Sequence, residues 1–366
     1  MSAPSRPRIL SGVQPSGKLH LGNYFGAIQQ HIALQNQGDA FYFIADYHAL
    51  TSLKDAETRE ADAAQKAGKT TWKSAKELLA ENVRDVALAY LAFGLDPVKA
   101  TFYRQSDVPE VCELAWFLAT VTGMGFLERA HSYKDKVSQG ILPSVGLFTY
   151  PILMAADILI VRSNIVPVGK DQVQHLEMTR DIAGYFNRAY GDVFPEPETR
   201  LSAAAAVVPG TDKDAEGNPR KMSKSYGNTI EIFAEGKALK SAVMGIVSDS
   251  TPLEEPKNPD TCNVFALYKL FGSPEEIAKL ADLYRNPMLD AESRKGRAFG
   301  YGDAKQLLLA KIDTTFAEAR EKRKALAADP AQVDKILADG ARRARAEAVR
   351  TMALVRHAVG MSGQPT

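Results

Sequence analysis

Cysteine is nearly absent from this chain. Only Cys112 and Cys262 occur, far apart in 366 residues. That excludes a cysteine-built zinc or iron–sulfur site, argues against a disulfide scaffold, and makes two reduced thiols in a cytosolic protein the simplest expectation. Net charge is nearly absent too. Lys and Arg total 45 against 44 Asp and Glu, a net charge of +1, so any RNA-binding surface must come from local clustering. Long hydrophobic runs are missing as well. The most apolar stretch, 152–161, is too short to span a membrane and is interrupted by Asp157. Residues 1–8 are polar and basic, without the apolar core of a signal peptide; a cytoplasmic location without membrane association is expected. His31, His48, His131 and His175 lack metal-ligand spacing, so no bound metal of the protein's own is expected. There is no G-x-S-x-G motif, no Ser-His-Asp arrangement and no internal repeat.

What is present is ordinary globular composition, 45% apolar and 24% charged, in a chain long enough for two domains. Short apolar runs at 41–45, 100–103 and 165–168 alternate with glycine or proline turns and helical patterns at 78–93 and 172–190. Such alternation predicts βαβ units and a parallel sheet whose ligands bind beyond the carboxyl ends of the strands. Beyond residue 229 strand signals fade, and from 307 the chain reads as helix with breaks at Pro330 and Gly340. The expectation is an α/β fold, a Rossmann-like doubly wound parallel sheet over 1–228, followed by an all-helical region over 229–366 whose last helices have the option of packing back. Residues 56–74, rich in Ala, Lys, Glu and Thr, read as an exposed helix or a mobile insertion, and 209–218 as a flexible polar lead-in.

Two motifs carry chemistry. Residues 9–23 run from an apolar stretch through Gly12 and Gly17 into His20-Leu21-Gly22-Asn23. They read as strand, glycine-rich turn and helix, a geometry that aims backbone N–H groups at an anion. Far downstream, Lys221-Met222-Ser223-Lys224-Ser225 sets two ammonium groups and two hydroxyls on a loop. Together they are suited to grip a triphosphate from two sides. The pair resembles the signature motifs of class I aminoacyl-tRNA synthetases, with His-Leu-Gly-Asn as a variant of His-Ile-Gly-His. Either motif alone is weak; the two in this order are a strong signal.

The amino-acid substrate is addressed by residues 150–157. Tyr150, Met154 and Asp157 are spaced i, i+4, i+7 and so share one helical face, with Pro151 suited to a helix first turn. A carboxylate buried on an apolar helix needs a donor, and an indole N–H has donor capacity only, so Asp157 suits tryptophan; structural pairing within the fold is the competing reading. Val166 and Val168 lie on one face of a strand, and Asp171 and Gln172 follow in the turn. These stretches resemble tryptophanyl-tRNA synthetases of bacterial type, closely over 11–27, 44–49, 147–181 and 221–225. The related tyrosyl enzymes typically place an amide where Met154 stands.

The resemblance implies roles. Asp157 would receive the indole N–H; Met154, Val166 and Val168 would line the ring slot; Tyr150 and Gln172 would hold the α-amino group. Gln14, His20, Gly22, Asn23, Gly169 and Asp171 would surround ATP. Lys221, Ser223 and Lys224 would hold the pyrophosphate, and Lys136 matches a further phosphate-contacting lysine. His20, Asn23, Lys221 and Lys224 would be the catalytic groups, with Mg²⁺ carried by ATP. It also implies a homodimer acting on tRNA. Residues 56–74 look like an insertion, and 202–220 replace a familiar lead-in with alanines and a longer loop. Asp46 and His48 follow a strand, within reach of the site or as its support. On the final helix Ala344, Ala348, Met352, Val355 and Val359 fall opposite Arg342, Arg343, Arg345, Arg350 and Arg356. That pattern fits a docked helix with solvated arginines as well as it fits a phosphate-facing surface. The rival readings are a tyrosyl enzyme on the same fold, a non-catalytic synthetase-like RNA-binding protein, and a small-molecule nucleotidylyltransferase.

Overall fold

A computed structural model of the chain describes residues 6–130, 144–169, 172–201 and 208–361. It forms two compact units that interleave along the sequence: Met1–Gly17, Gln30–Ser202 and Ala325–Thr366 make one, Lys18–Gln29 and Ala203–Lys324 the other. The sequence suggested a division after residue 228, with the last helices having the option of packing back on the first part. The chain instead leaves the first unit after Gly17, and its last helix belongs to the first unit because its apolar face is buried in that unit's core.

The first unit is built on a five-stranded parallel sheet: β1 (Arg8–Val13), β2 (Asp39–Ile44), β3 (Ala100–Arg104), β4 (Ile165–Val168) and β5 (Glu198–Leu201), in the order β3-β2-β1-β4-β5. β1 pairs β2 from Arg8↔Asp39 to Val13↔Ile44. β2 is buried at every position after Asp39, as expected for a parallel strand covered on both faces. The strand order reverses between β1 and β4, and such a switch point is where doubly wound sheets bind ligands. Gln14 follows β1 and Gly169 follows β4, so both stand at the carboxyl end of that switch.

Helices close the faces. Asp46–Lys66 is one helix with only Asp46, Ala49 and Ala64 buried, which makes the first part of the 56–74 segment an exposed helix. Ala75–Ala92 begins with a capping box between Ser74 and Glu77, in which each side chain bonds the other's backbone N–H. Glu110–Val121, Val145–Ile160 and Val173–Tyr190 complete this set. Pro151 lies inside Val145–Ile160, not in its first turn; the helix starts earlier because Ser144 accepts the Leu147 N–H. Lacking an N–H, Pro151 leaves the Leu147 carbonyl without its helical donor.

The final helix, Pro330–Ala358, runs unbroken through Gly340 and packs on β3, an edge strand. Glycine there serves close approach: a Cβ at 340 would lie 1.8 Å from the Phe102 carbonyl oxygen. Ala344, Ala348, Met352 and Val355 are fully buried with Phe41, Phe43, Ile158, Leu159 and Phe186.

In the second unit, the turn Leu21–Asn23 continues into a π-helical turn, Tyr24–Ile28. The antiparallel hairpin Pro209–Lys213/Pro219–Lys221 precedes the lysine loop. The described elements after it are all helical, including Gly236–Met244, Asn263–Tyr268, Pro274–Arg285 and most of Tyr301–Ala328. Edge-to-face aromatic contacts tie the unit together: Tyr24 on Phe316 at 5.0 Å and Phe25 on Phe271 at 5.1 Å.

Candidate active site

The second unit holds the two signature motifs together. His20 is extended and caps the turn that follows it: its Nδ1 accepts the Gly22 N–H at 3.1 Å, while Asn23 Oδ1 accepts the His20 N–H at 3.0 Å. Because Nδ1 accepts, a neutral His20 carries its proton on Nε2. Burial, reinforced by the charge of Lys224, lowers the His20 pKa to about 4, so near neutrality the ring is an uncharged donor. Asn23 has its oxygen engaged, which leaves its amide N–H₂ as the group with donor capacity. Backbone bonds from Leu21 to Ile230 at 3.0 Å and from Ile232 to Leu19 at 3.1 Å tie this motif to the chain just beyond the lysine loop. Gly22 adjoins the loop itself, since a Cβ there would lie 2.9 Å from the imidazole and 3.8 Å from Met222 Cβ.

In the lysine loop Met222 is buried, whereas Lys221, Lys224 and Ser225 are exposed and Ser223 is half-buried. Ser223 Oγ caps the short turn Lys224–Tyr226 by accepting the Ser225 N–H. Arg220 lies 3.7 Å over the Tyr226 ring and donates to Asp212 at 3.2 Å. The polar lead-in, expected to be flexible, forms the first strand and the turn of the hairpin. Lys136 and Asp171, expected near ATP, lie outside the described residues.

The first unit holds the candidate tryptophan groups. Tyr150, Met154 and Asp157 come from the single helix Val145–Ile160, while Val166 and Val168 are buried on β4. Asp157 is 3% exposed. Its Oδ2 accepts from His48 Nε2 at 2.8 Å, and Gln105 Nε2 reaches both its oxygens at 2.8 and 2.9 Å. Burial raises its pKa, and the bonds from His48 and Gln105 oppose that rise by favouring the carboxylate. Asp157 thus has structural partners and also lies on the expected face. Two acceptor oxygens with about four lone-pair sites leave capacity for a further donor beyond His48 and Gln105.

Tyr150 is hydrogen-bonded through its hydroxyl to His175 Nε2. Gln172 turns back onto the Gly169 carbonyl through its backbone at 3.0 Å. Gln14 donates to the His48 carbonyl and to Ser52 Oγ. Asp46 is a support: it accepts from the Ser106 N–H and hydroxyl and from the Tyr47 N–H.

Sequence reasoning missed Gln105, which is fully buried and also accepts the Tyr47 N–H at 3.1 Å. The available signal was its place as the first residue after β3, at the carboxyl end of a parallel strand.

The arginines of the final helix are engaged within the chain. Arg343 donates to the carbonyls of Pro97 and Ala100, Arg345 to Glu110, Arg356 to Glu113, Arg342 to Asp339 and Arg350 to Glu347. Arg342, Arg345 and Arg350 nevertheless remain exposed and line an open groove of about 610 Å³ with Arg104 and Asp107. No described helix is long and apolar enough to cross a membrane.

Comparison with known proteins gives the family. The family model for class I tRNA synthetases of the tryptophan and tyrosine type matches residues 3–317. The tryptophan–tRNA ligase of Fusobacterium nucleatum is 49% identical over 97% of this chain and 98% of its own length. That of Rhodopirellula baltica is 46% identical over 97% and 99%. The crystal structure of tryptophanyl-tRNA synthetase from Campylobacter jejuni complexed with ADP and tryptophan superposes with a TM-score of 0.81 at 44% identity, covering 96% of this chain and 99% of that one. With the signature motifs placed in one unit and a buried carboxylate on the expected helix of the other, the chain belongs to the bacterial-type tryptophanyl-tRNA synthetases of class I.

Proposed function

We propose that the chain joins tryptophan to its tRNA in two steps. The tryptophan carboxylate attacks the α-phosphorus of ATP, forming tryptophanyl-adenylate and releasing pyrophosphate. A hydroxyl of the terminal tRNA adenosine, the 2′ position if the class I pattern holds, then attacks the adenylate carbonyl and releases AMP. The first step asks little of a general base, because the nucleophile is already ionised, so positioning and charge stabilisation are the main demands. The second unit supplies the phosphate-handling groups: neutral His20 donating from Nε2, the Asn23 amide, Gly22, and the ammonium and hydroxyl groups of Lys221, Ser223 and Lys224. Mg²⁺ bound to ATP would neutralise departing charge.

The first unit supplies selectivity. Asp157 accepts the indole N–H, Met154, Val166 and Val168 wall the ring, and Tyr150 with Gln172 holds the α-amino group. Gln14 and Gly169 flank the nucleotide at the sheet's switch point, joined by Asp171 and Lys136. We assign tRNA recognition to the helical region 229–366 and expect a cytoplasmic homodimer. The observation that carries the substrate reading is Asp157, a buried carboxylate held by two donors on the helix that also presents Met154. Pyrophosphate exchange into ATP, tested with each amino acid in turn, should require tryptophan and reject phenylalanine by roughly 10⁴ or more. Exchange with tyrosine at the tryptophan rate would refute the assignment.

A further inference from the structure

Of the loop's exposed lysines, Lys221 immediately precedes buried Met222, and Lys224 lies between Met222 and a second buried residue, Asn228. Met222 is an apolar anchor. Asn228 is a polar residue at 1% exposure, and a buried amide is tolerated only when its hydrogen-bonding groups are met. Here they are met by the loop itself. Asn228 Oδ1 accepts the Ser223 N–H at 2.7 Å, and Nδ2 donates to the Lys221 carbonyl at 3.1 Å and to Asp212 Oδ1 at 2.5 Å. An N–H on one side and two oxygens on the other fix which way the amide faces. The Asn228 carbonyl in turn accepts the Thr211 N–H at 3.0 Å.

One side chain thus grips the backbone on both sides of Met222 and fastens it to the opposite strand of the hairpin. Asp212 and Gly210 are fixed in their turn by Asn263, whose Nδ2 donates to both their carbonyls. The packing leaves no slack: a Cβ on Gly210 would lie 2.1 Å from Asn228 Nδ2.

We propose that Asn228 is a positioning residue for adenylate formation, setting where Lys221, Ser223 and Lys224 meet the departing pyrophosphate. The proposal rests on the phosphate-handling reading of the loop given above. Asn228 touches neither nucleotide nor tryptophan in this scheme; it acts through the backbone to which the lysines are attached. An alanine at 228 keeps the lysines and loses three hydrogen bonds. An aspartate keeps the bond from Ser223 and sets a second carboxylate against Asp212.

The test is single-turnover adenylate formation, with tryptophan affinity from equilibrium dialysis and a thermal unfolding midpoint for each variant. Asn228→Ala should slow adenylate formation by about 10- to 100-fold, the scale on which misplacement of catalytic groups costs rate, with tryptophan affinity held within about twofold. Asn228→Asp should be slower still. Combining it with Asp212→Asn restores a donor opposite an acceptor and should recover part of the rate, a rescue that general loosening of the fold does not give. A folded Asn228→Ala with the wild-type rate overturns the proposal, and so does a double variant no faster than Asn228→Asp. Should Asn228→Ala fail to fold, the comparison of the double variant with Asn228→Asp decides alone. A wild-type protein that forms no tryptophan-dependent adenylate refutes the underlying function, and the proposal falls with it; a wild-type protein that forms it while the variants do so equally well refutes only the role of Asn228.

Discussion

Replacing Asp157 by asparagine separates its two roles, because the change preserves shape and removes both the charge and one acceptor. In the native arrangement Gln105 Nε2 spans both carboxylate oxygens at 2.8 and 2.9 Å, and His48 Nε2 meets Oδ2 at 2.8 Å. An asparagine offers one oxygen, and its N–H₂ must face at least one of these donors. One buried charge-assisted hydrogen bond is lost, worth about 1.5–3 kcal/mol, and the thermal midpoint should fall. The ligand effect is separate. If the indole N–H bonds this carboxylate, loss of that bond removes a similar 1.5–3 kcal/mol from the tryptophan transition state, roughly a 10- to 150-fold fall in kcat/KM. Phenylalanine has no such donor, so its much lower kcat/KM should change little. The assay is pyrophosphate exchange with both amino acids, read as the ratio of their kcat/KM values beside the unfolding midpoint. A lowered midpoint with an unchanged tryptophan-to-phenylalanine ratio would show that Asp157 only braces His48 and Gln105, and would refute its role in selectivity.

Four further outcomes are expected. Since His20 has its pKa lowered to about 4, it stays neutral down to about pH 5; an exchange-rate inflection near pH 6.5 that His20→Gln removes would contradict this. The same holds for His31, buried against Tyr90 with its pKa also lowered to about 4. The unfolded chain then binds protons that the folded chain does not between about pH 6.5 and 4, so stability is full above that window and is lost as pH falls through it; urea unfolding should show this slope and His31→Gln should flatten it. Gly340→Ala places a methyl group 1.8 Å from the Phe102 carbonyl oxygen, so despite alanine's higher helix propensity it should destabilise by about 1–3 kcal/mol, and a variant as stable as the wild type would contradict the packing of that helix on β3. Arg342→Ala with Arg345→Ala should lower both tRNA affinity and its salt slope, by roughly 0.7–0.9 per lost phosphate contact, if those exposed guanidinium groups exchange acidic partners for phosphates; unchanged binding with a lower unfolding midpoint assigns them to intramolecular pairing alone.

The strands were legible because burial on both faces writes itself as a short continuous apolar run: 165–168 coincides with β4, and 100–103 falls one residue short of β3. The final helix was half legible. Its apolar stripe named the residues that the core buries, but Gly340 read as a break, since glycine lowers helix propensity and nothing in one dimension shows a carbonyl 1.8 Å from where its Cβ would be. Pro151 misled in the same way. A proline is most at home in a first turn, yet Ser144 supplies a cap about two turns earlier, so the helix starts there and carries the proline inside.

The site was legible in proportion to how locally its chemistry is written. His20 through Asn23 cap one another within four residues, so the motif and its geometry are the same fact. The residues that hold functional groups in place are different. Gln105 reaches Asp157 across 52 positions, and Asn228 reaches Asp212 across 16. A lone amide has no periodicity and no charge, so in sequence it is indistinguishable from a surface asparagine or glutamine. It becomes visible only when burial forces its donors and acceptor to be counted. Both amides are at most 1% exposed and have donor and acceptor ends engaged, and each bonds a group or the backbone of a segment expected to touch substrate. An apolar residue in either place would leave buried donors and acceptors unpaired, so a full set of partners beside groups proposed to meet substrate points to orientation as its use.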